Sequence, residues 1–174
     1  MAATSAMLAA AGAVLAASAA AIFETSPEQH GARGAPHDDT GPITAALASC
    51  AGHDGDGCRV VFARSYLSGP LRVNASRVEL SITGTLAMLP RAQYPATEQG
   101  PFLSNAPGVS ALRITGGGLV DGNGHAWWPC KYLGCWRPHL MAFDTVHGLS
   151  IGPLRMQNPP VRASSCLSPG LSNV

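Results

Sequence analysis

Read for the spacing of apolar positions, the chain falls into stretches of different period. Met1 to Phe23 carries no charge, and Ala6 to Phe23 is alanine-rich with Met7, Leu8, Val14, Leu15, Ile22 and Phe23 interspersed. Glu24 to His30 is a polar connector, and Asp38-Asp39-Thr40 then precedes Gly41-Pro42-Ile43-Thr44-Ala45-Ala46-Leu47-Ala48-Ser49-Cys50. An oxygen on Asp39 or Thr40 is placed to cap the free N–H groups of a helix, and Pro42 fits its first turn. Ile43, Ala46, Leu47 and Cys50 share one face, so the spacing predicts an amphipathic helix ending near Gly52. From Cys58 onward the helical period is lost. Short β-branched runs broken by glycine or proline follow, at Cys58 to Ala63, Leu71 to Val73, Val78 to Leu86, Ala111 to Val120 and Leu140 to Met156.

Within those runs one unit recurs: a strand, a glycine corner and a second short strand. Ile82, Ile114 and Ile151 mark it, 32 and then 37 residues apart. Such repetition predicts a solenoid, in which each rung buries its inward residues only by stacking on its neighbours and the first rung needs a cover. The expected fold is mainly β: a right-handed parallel β-helix with an N-terminal capping helix, its handedness taken from the general rule for parallel crossovers.

Composition narrows the partners. Glycine and proline contribute 34 of 174 residues, which favours turns over long helices. Only 12% of residues are charged, the net charge is +1, and the basic residues are ten arginines and Lys131, spread singly. With no basic stripe to neutralise successive phosphates, nucleic acid is excluded as a partner. The uncharged opening reads as a secretory leader over residues 1–23, with small residues from Ala17 to Ala21 offering a cleavage site. The mature chain is then expected outside the cell or in the cell wall, with no membrane contact after cleavage, and as a monomer.

The cysteines agree with an oxidising compartment. Cys50 with Cys58 and Cys130 with Cys135 form two close pairs, leaving Cys166 over. A zinc site built from Cys130, Cys135, His139 and His147 has the wrong histidine spacing, and no metal or cofactor is expected. Asn74-Ala75-Ser76 is an N-glycosylation acceptor. Asp121-Gly122-Asn123-Gly124 looks like a calcium loop, but Tyr132 stands where such a loop needs its glutamate. The four residues are expected to form a structural turn in which Asp121 bonds local backbone.

An ordered set of landmarks resembles the polygalacturonase family of glycoside hydrolases, within the pectin-lyase-like β-helix fold. It runs from Gly31-Ala32-Arg33-Gly34 and Asp38-Asp39-Thr40 through Tyr66-Leu67-Ser68-Gly69-Pro70-Leu71 and Gly84-Thr85-Leu86. It continues with Ile114 to Gly124, Trp127-Trp128, Arg137-Pro138-His139-Leu140, Phe143 and Gln157-Asn158-Pro159-Pro160. The resemblance implies hydrolysis of pectic galacturonan with inversion, which needs a carboxylic acid and a carboxylate base roughly 6.5–9.5 Å apart. It also implies that residues 24–160 are the N-terminal part of a longer β-helix.

The family's Asn-Thr-Asp, Asp-Asp, Gly-His-Gly and Arg-x-Lys motifs do not occur where its pattern would place them, so no catalytic residue is expected in this chain. Asp38-Asp39 is expected to be structural, and residues 161–174 read as an irregular, truncated or divergent tail. A galacturonan-like polysaccharide is the partner the resemblance implies. Arg137 and His139 are the candidate substrate contacts, and Trp127 and Trp128 are expected to pack. The alternative function is a non-catalytic carbohydrate-binding or structural β-helix protein.

Overall fold

The computed structural model describes residues 22–53, 57–95 and 99–167, so nearly all of the expected leader lies outside the described residues. Among those residues thirteen strands form three parallel sheets. The first contains β1 (Phe23–Thr25), β2 (Cys58–Phe62), β5 (Val78–Ile82), β8 (Arg113–Thr115) and β11 (Ser150–Ile151) in that order. The second stacks β3 (Ser65–Ser68), β6 (Thr85–Met88), β9 (Leu119–Asp121) and β12 (Arg155–Gln157). The third stacks β4 (Leu71–Val73), β7 (Leu103–Asn105), β10 (Met141–Asp144) and β13 (Ser164–Leu167). Every pairing is parallel and joins strands one rung apart, which is the expected parallel β-helix.

Alternation along each strand builds the interior. In the first sheet Val60, Leu80 and Ile114 stack in register, each almost wholly buried. In the second, Tyr66, Leu86 and Val120 do the same, and in the third Leu71, Leu103 and Met141. This register corrects one expectation. Ile114 does pair with Ile151, but its partner in the preceding rung is Leu80, while Ile82 pairs with Phe62. A shift of two residues leaves the same face inward, so periodicity alone did not separate the two registers.

A quasi-rung covers the first full rung. β1 extends the first sheet beyond β2, Asp38 bridges Leu67 beside β3, and α1 (Thr40–Ser49) packs against β4 and β3. Ile43, Ala46, Leu47 and Cys50 are buried as the helical spacing predicts. The capping oxygens work differently from expectation. Asp39 stands at the helix N-cap without a side-chain bond to the helix; its carboxylate accepts the backbone N–H groups of Arg33 and Gly34 at 2.8 and 2.9 Å. Thr40 Oγ1 accepts the Gly69 N–H at 2.7 Å, and Asp38 Oδ1 accepts the Thr40 N–H at 2.9 Å. The Asp38 and Asp39 carboxylates are therefore both spent on hydrogen bonds within the quasi-rung, and Thr40 ties it to the turn between β3 and β4.

The expected irregular tail opens with a strand instead: Ser164–Leu167 pairs in parallel with Met141–Asp144. Its short polar sequence has no period of its own, and the neighbouring strand supplies the partner groups. β7 was likewise not among the expected strands, being three residues following Gly100-Pro101.

At the corner between the first and second sheets backbone lies directly on backbone. A Cβ on Gly84 would sit 2.1 Å from the Arg64 carbonyl oxygen, and one on Gly118 would sit 2.4 Å from that of Gly84. Gly118→Ala is expected to destabilise the fold by roughly 3 kcal/mol, because the added Cβ meets backbone of the preceding rung, with no flexible side chain to yield. Gly41→Ala, where an added Cβ meets nothing within 4 Å, should be neutral or slightly stabilising. Urea titrations of the two variants make the comparison, and equal midpoints would refute the close-approach argument.

Outside the first sheet, Glu79 accepts a hydrogen bond from Thr115 Oγ1 at 2.8 Å and pairs with Arg59 at 3.2 Å. Burial pushes the Glu79 carboxyl up, but the Thr115 and Arg59 interactions outweigh it and the net pKa lies below the ordinary value. A carboxyl whose folded pKa is depressed contributes stability above its unfolded pKa of about 4.3 and loses it as pH falls through the folded value. Glu79→Gln should therefore cost about 1 kcal/mol at pH 7 and progressively less below about pH 4. Denaturation curves at pH 7 and pH 3 test this; a pH-independent difference would exclude the ionised carboxylate as its source.

Candidate functional site: a groove on the third sheet

The third sheet turns its inward residues into the core and leaves Arg72, Ser104 and Ala142 on the outside in successive rungs. A groove of about 560 Å³ lies over them. Pro70, Gly100 and Pro101 line it where the chain enters β4 and β7, and Asp144 lines it at the end of β10. A contiguous hollow of about 320 Å³, bounded by Pro107, Gly108 and Thr145, shares Arg72, Asn105 and Asp144 with the groove.

A buried amide holds the polar end of this groove. Asn105 Oδ1 accepts the Asp144 N–H at 2.9 Å, while Asn105 Nδ2 donates to the Asp144 carbonyl at 2.8 Å and to the Ala106 carbonyl at 2.9 Å. The clamp uses the Asp144 backbone and leaves its carboxylate outside, where Oδ1 accepts the Thr145 hydroxyl at 2.7 Å. Arg72 is exposed and has no ion-pair partner among the described residues. Groove and hollow thus offer one guanidinium, one carboxylate, two short polar side chains and an apolar floor. Such a set has the hydrogen-bonding and charge chemistry to pair with hydroxyls and a carboxylate. Among the described residues Asp144 is the one carboxylate lining either space, whereas inverting hydrolysis requires an acid and a base.

Of the two residues expected to touch substrate, Arg137 has its side chain engaged elsewhere, while His139 Nδ1 is buried with no hydrogen-bond partner among the described residues. Arg137 Nη1 donates to the Pro160 carbonyl at 3.0 Å, and His139 is half-buried with its carbonyl accepting the Phe102 N–H at 2.9 Å. Neither lines the groove. Arg137 belongs to a holding arrangement around Gln157-Asn158-Pro159-Pro160. Asp121 accepts the Asn123 N–H at 2.9 Å as expected, and also the Gln157 and Asn158 side-chain amides at 2.7 and 3.2 Å. Added Cβ atoms on Gly122 or Gly124 would sit 2.5 Å from the Asn158 carbonyl oxygen, and Trp128 Nε1 donates to the Pro159 carbonyl at 3.0 Å. The Asp121-Gly122-Asn123-Gly124 turn is a cradle that fixes the strand after it.

Both expected disulfides are formed, Cys50–Cys58 with Cα atoms 5.4 Å apart and Cys130–Cys135 with Cα atoms 4.8 Å apart. The first joins the end of α1 to β2. The second closes a loop, and because it joins Cys130 to Cys135 these residues do not meet His139 and His147 around a metal. Among the described residues no cluster of three or more His, Cys, Asp or Glu side chains could hold a metal ion. The side chain of Cys166 lies outside the described residues. Asn74 is exposed at the corner between β4 and β5, and Ser76 Oγ accepts the Ser110 N–H at 3.0 Å.

Sequence reasoning missed Arg72 and Asp144 as groove residues. The alternation Leu71-Arg72-Val73 carried the signal for Arg72, since buried neighbours on both sides force it outward.

No family model matches the chain. It is 31% identical over 130 residues to endo-xylogalacturonan hydrolase A of Aspergillus tubingensis, an alignment covering 71% of this chain and 31% of that protein. It is 28% identical over 155 residues to a polygalacturonase of Malus domestica, covering 83% of this chain and 33% of the relative. The chain thus spans about a third of the length of these curated relatives. Among solved structures, one assigned as a glycosyl hydrolase from Parabacteroides merdae superposes with a TM-score of 0.68 at 16% identity, over 82% of this chain and 70% of that one, and shares the fold. With three stacked parallel sheets, the glycine corners and these relatives together, the chain is similar to the N-terminal part of polygalacturonase-like glycoside hydrolases.

Proposed function

We propose that this chain forms the N-terminal part of a secreted polygalacturonase-like hydrolase, that it binds pectic galacturonan along the outer face of its third sheet, and that it does not itself cleave the polymer. The observation that carries the reading is the groove over Arg72, Ser104 and Asp144, which has polar and charged groups and, among the described residues, a single carboxylate. A uronate carboxylate suits the unpaired Arg72 guanidinium, and ring hydroxyls suit Ser104 and the free side of Asp144. Relatives carrying polygalacturonase and xylogalacturonan hydrolase names support a galacturonan backbone as the ligand. Two disulfides support passage through an oxidising compartment, and no helix of the described residues is long and apolar enough to cross a membrane. Within this reading the chain acts as a monomer, and the acid and base of hydrolysis belong to further rungs of the parent protein.

Arg72→Gln should weaken binding to polygalacturonic acid about threefold to fivefold, the size expected of one exposed charge pair, and the loss should shrink in high salt. Affinity electrophoresis in gels containing the polymer measures it. A reducing-sugar assay on the same polymer should show no release by the chain alone; release would overturn the non-catalytic reading.

For chain made in a eukaryotic secretory host, a glycan is expected on Asn74, detected as a mass increment that disappears in Asn74→Gln. An unmodified Asn74 in secreted material would remove the site.

A further inference from the structure

The loop between β9 and β10 holds all three tryptophans of the chain and its only lysine, and no acidic residue occurs between Asp121 and Asp144. Half of this loop is packing. Trp127 is buried and meets Tyr94 edge-on at 5.2 Å and Trp136 at 6.1 Å, which seats the loop on the segment leading to β7. The other half is presented to solvent. The Cys130–Cys135 disulfide and the short helix α2 (Cys130–Leu133), ended by Gly134 in the left-handed region, hold up Tyr132 at 84% and Leu133 at 74% exposure. Lys131 Nζ lies 5.7 Å from the centre of the Tyr132 ring.

Large apolar side chains so exposed and so constrained are unusual on a folded surface, where a bare loop tip would carry polar residues. A disulfide-closed loop has already lost much of the freedom that a contact would otherwise remove, so binding there costs less ordering entropy. The tip is aromatic and cationic. The flat ring of Tyr132 matches the C–H face of a pyranose, and the adjacent ammonium matches a uronate carboxylate. The loop stands beside the segment whose later residues, Gly100 and Pro101, border the groove on the third sheet.

We propose that the Cys130–Cys135 finger is a second binding site for anionic polysaccharide, with Tyr132 stacking on a uronosyl ring and Lys131 pairing with its carboxylate. The inference rests on the galacturonan reading above but uses residues that do not touch the groove. A single polymer chain engaging both places would be held more tightly than by either alone.

The test is affinity electrophoresis of the full, oxidised chain in polygalacturonic acid, with neutral galactan as control. Tyr132→Ala should weaken retention about fivefold, Tyr132→Phe should keep it because the ring remains, and Lys131→Gln should weaken it while reducing its salt dependence. Tyr132 is too exposed for its removal to disturb packing, and an unchanged near-ultraviolet circular dichroism spectrum confirms that control. If Tyr132→Ala and Lys131→Gln bind like the wild type while Arg72→Gln is impaired, the finger proposal falls and the groove reading stands. If the finger variants are impaired and Arg72→Gln is not, the groove reading falls and the finger stands. No retention of the wild type overturns both, and equal retention in galactan overturns the assignment of an anionic ligand.

Discussion

Parallel strands hydrogen-bonded rung to rung set the axial spacing of this molecule at about 4.8 Å, and every other feature has to fit that interval. Side chains meet it easily, because apolar groups of similar size stack in columns such as Val60, Leu80 and Ile114. The backbone meets it with difficulty where two sheets join. The Gly84 N–H donates to the Phe62 carbonyl, the Gly118 N–H to that of Ile82, and the Leu119 N–H to that of Gly84, so the ladder continues through the bend. A Cβ pointing along the axis has no room there. Gly84, Gly116 and Gly118 are the sequence's answer to that geometric demand.

A stack of this kind has a first member whose outer edge and core would otherwise face water. The segment before β2 solves this without repeating the rung. One strand, one bridge and one helix, from β1 through Asp38 to α1, lie over the three sheets in turn. Asp39 and Thr40 matter to this arrangement because they tie one loop to another, and the Cys50–Cys58 bond fixes the helix end to β2 in the first sheet. Phe23 stacks on His53 with ring centres 3.8 Å apart, which closes the same end of the molecule from the β1 side.

The corner between the second and third sheets obeys no such tight limit. There the chain makes long excursions, over residues 89–102 and 122–140, and these carry the aromatic cluster, the disulfide finger and the border of the groove. The rungs press on each other at one corner and leave room at the other, which is why the proposed binding groups collect on this side. The cradle of Asp121, Gly122, Gly124, Trp128 and Arg137 serves both roles. It anchors one of these excursions and guides Asn158-Pro159-Pro160 toward β13.

Features of short range were legible in the chain. The buried face of α1, the loss of helical period after Cys58, the local cysteine pairs and the Asp121 turn all involve residues within about ten positions of one another. Their physics is contained in spacing. The solenoid itself was legible because a repeated unit of low charge with glycine corners has no other way to bury its apolar face. Contacts between rungs decided the rest. Whether Leu80 or Ile82 sits under Ile114, and whether Arg137 faces substrate or Pro160, depend on partners up to 34 residues away. So do the strands at Leu103–Asn105 and Ser164–Leu167, which have too few residues to show a period and exist because a neighbouring rung offers its hydrogen bonds. The sequence therefore determined the repeat and its cover. Tertiary stacking chose the register, because a shift of two residues preserves every inward and outward assignment that a sequence can display.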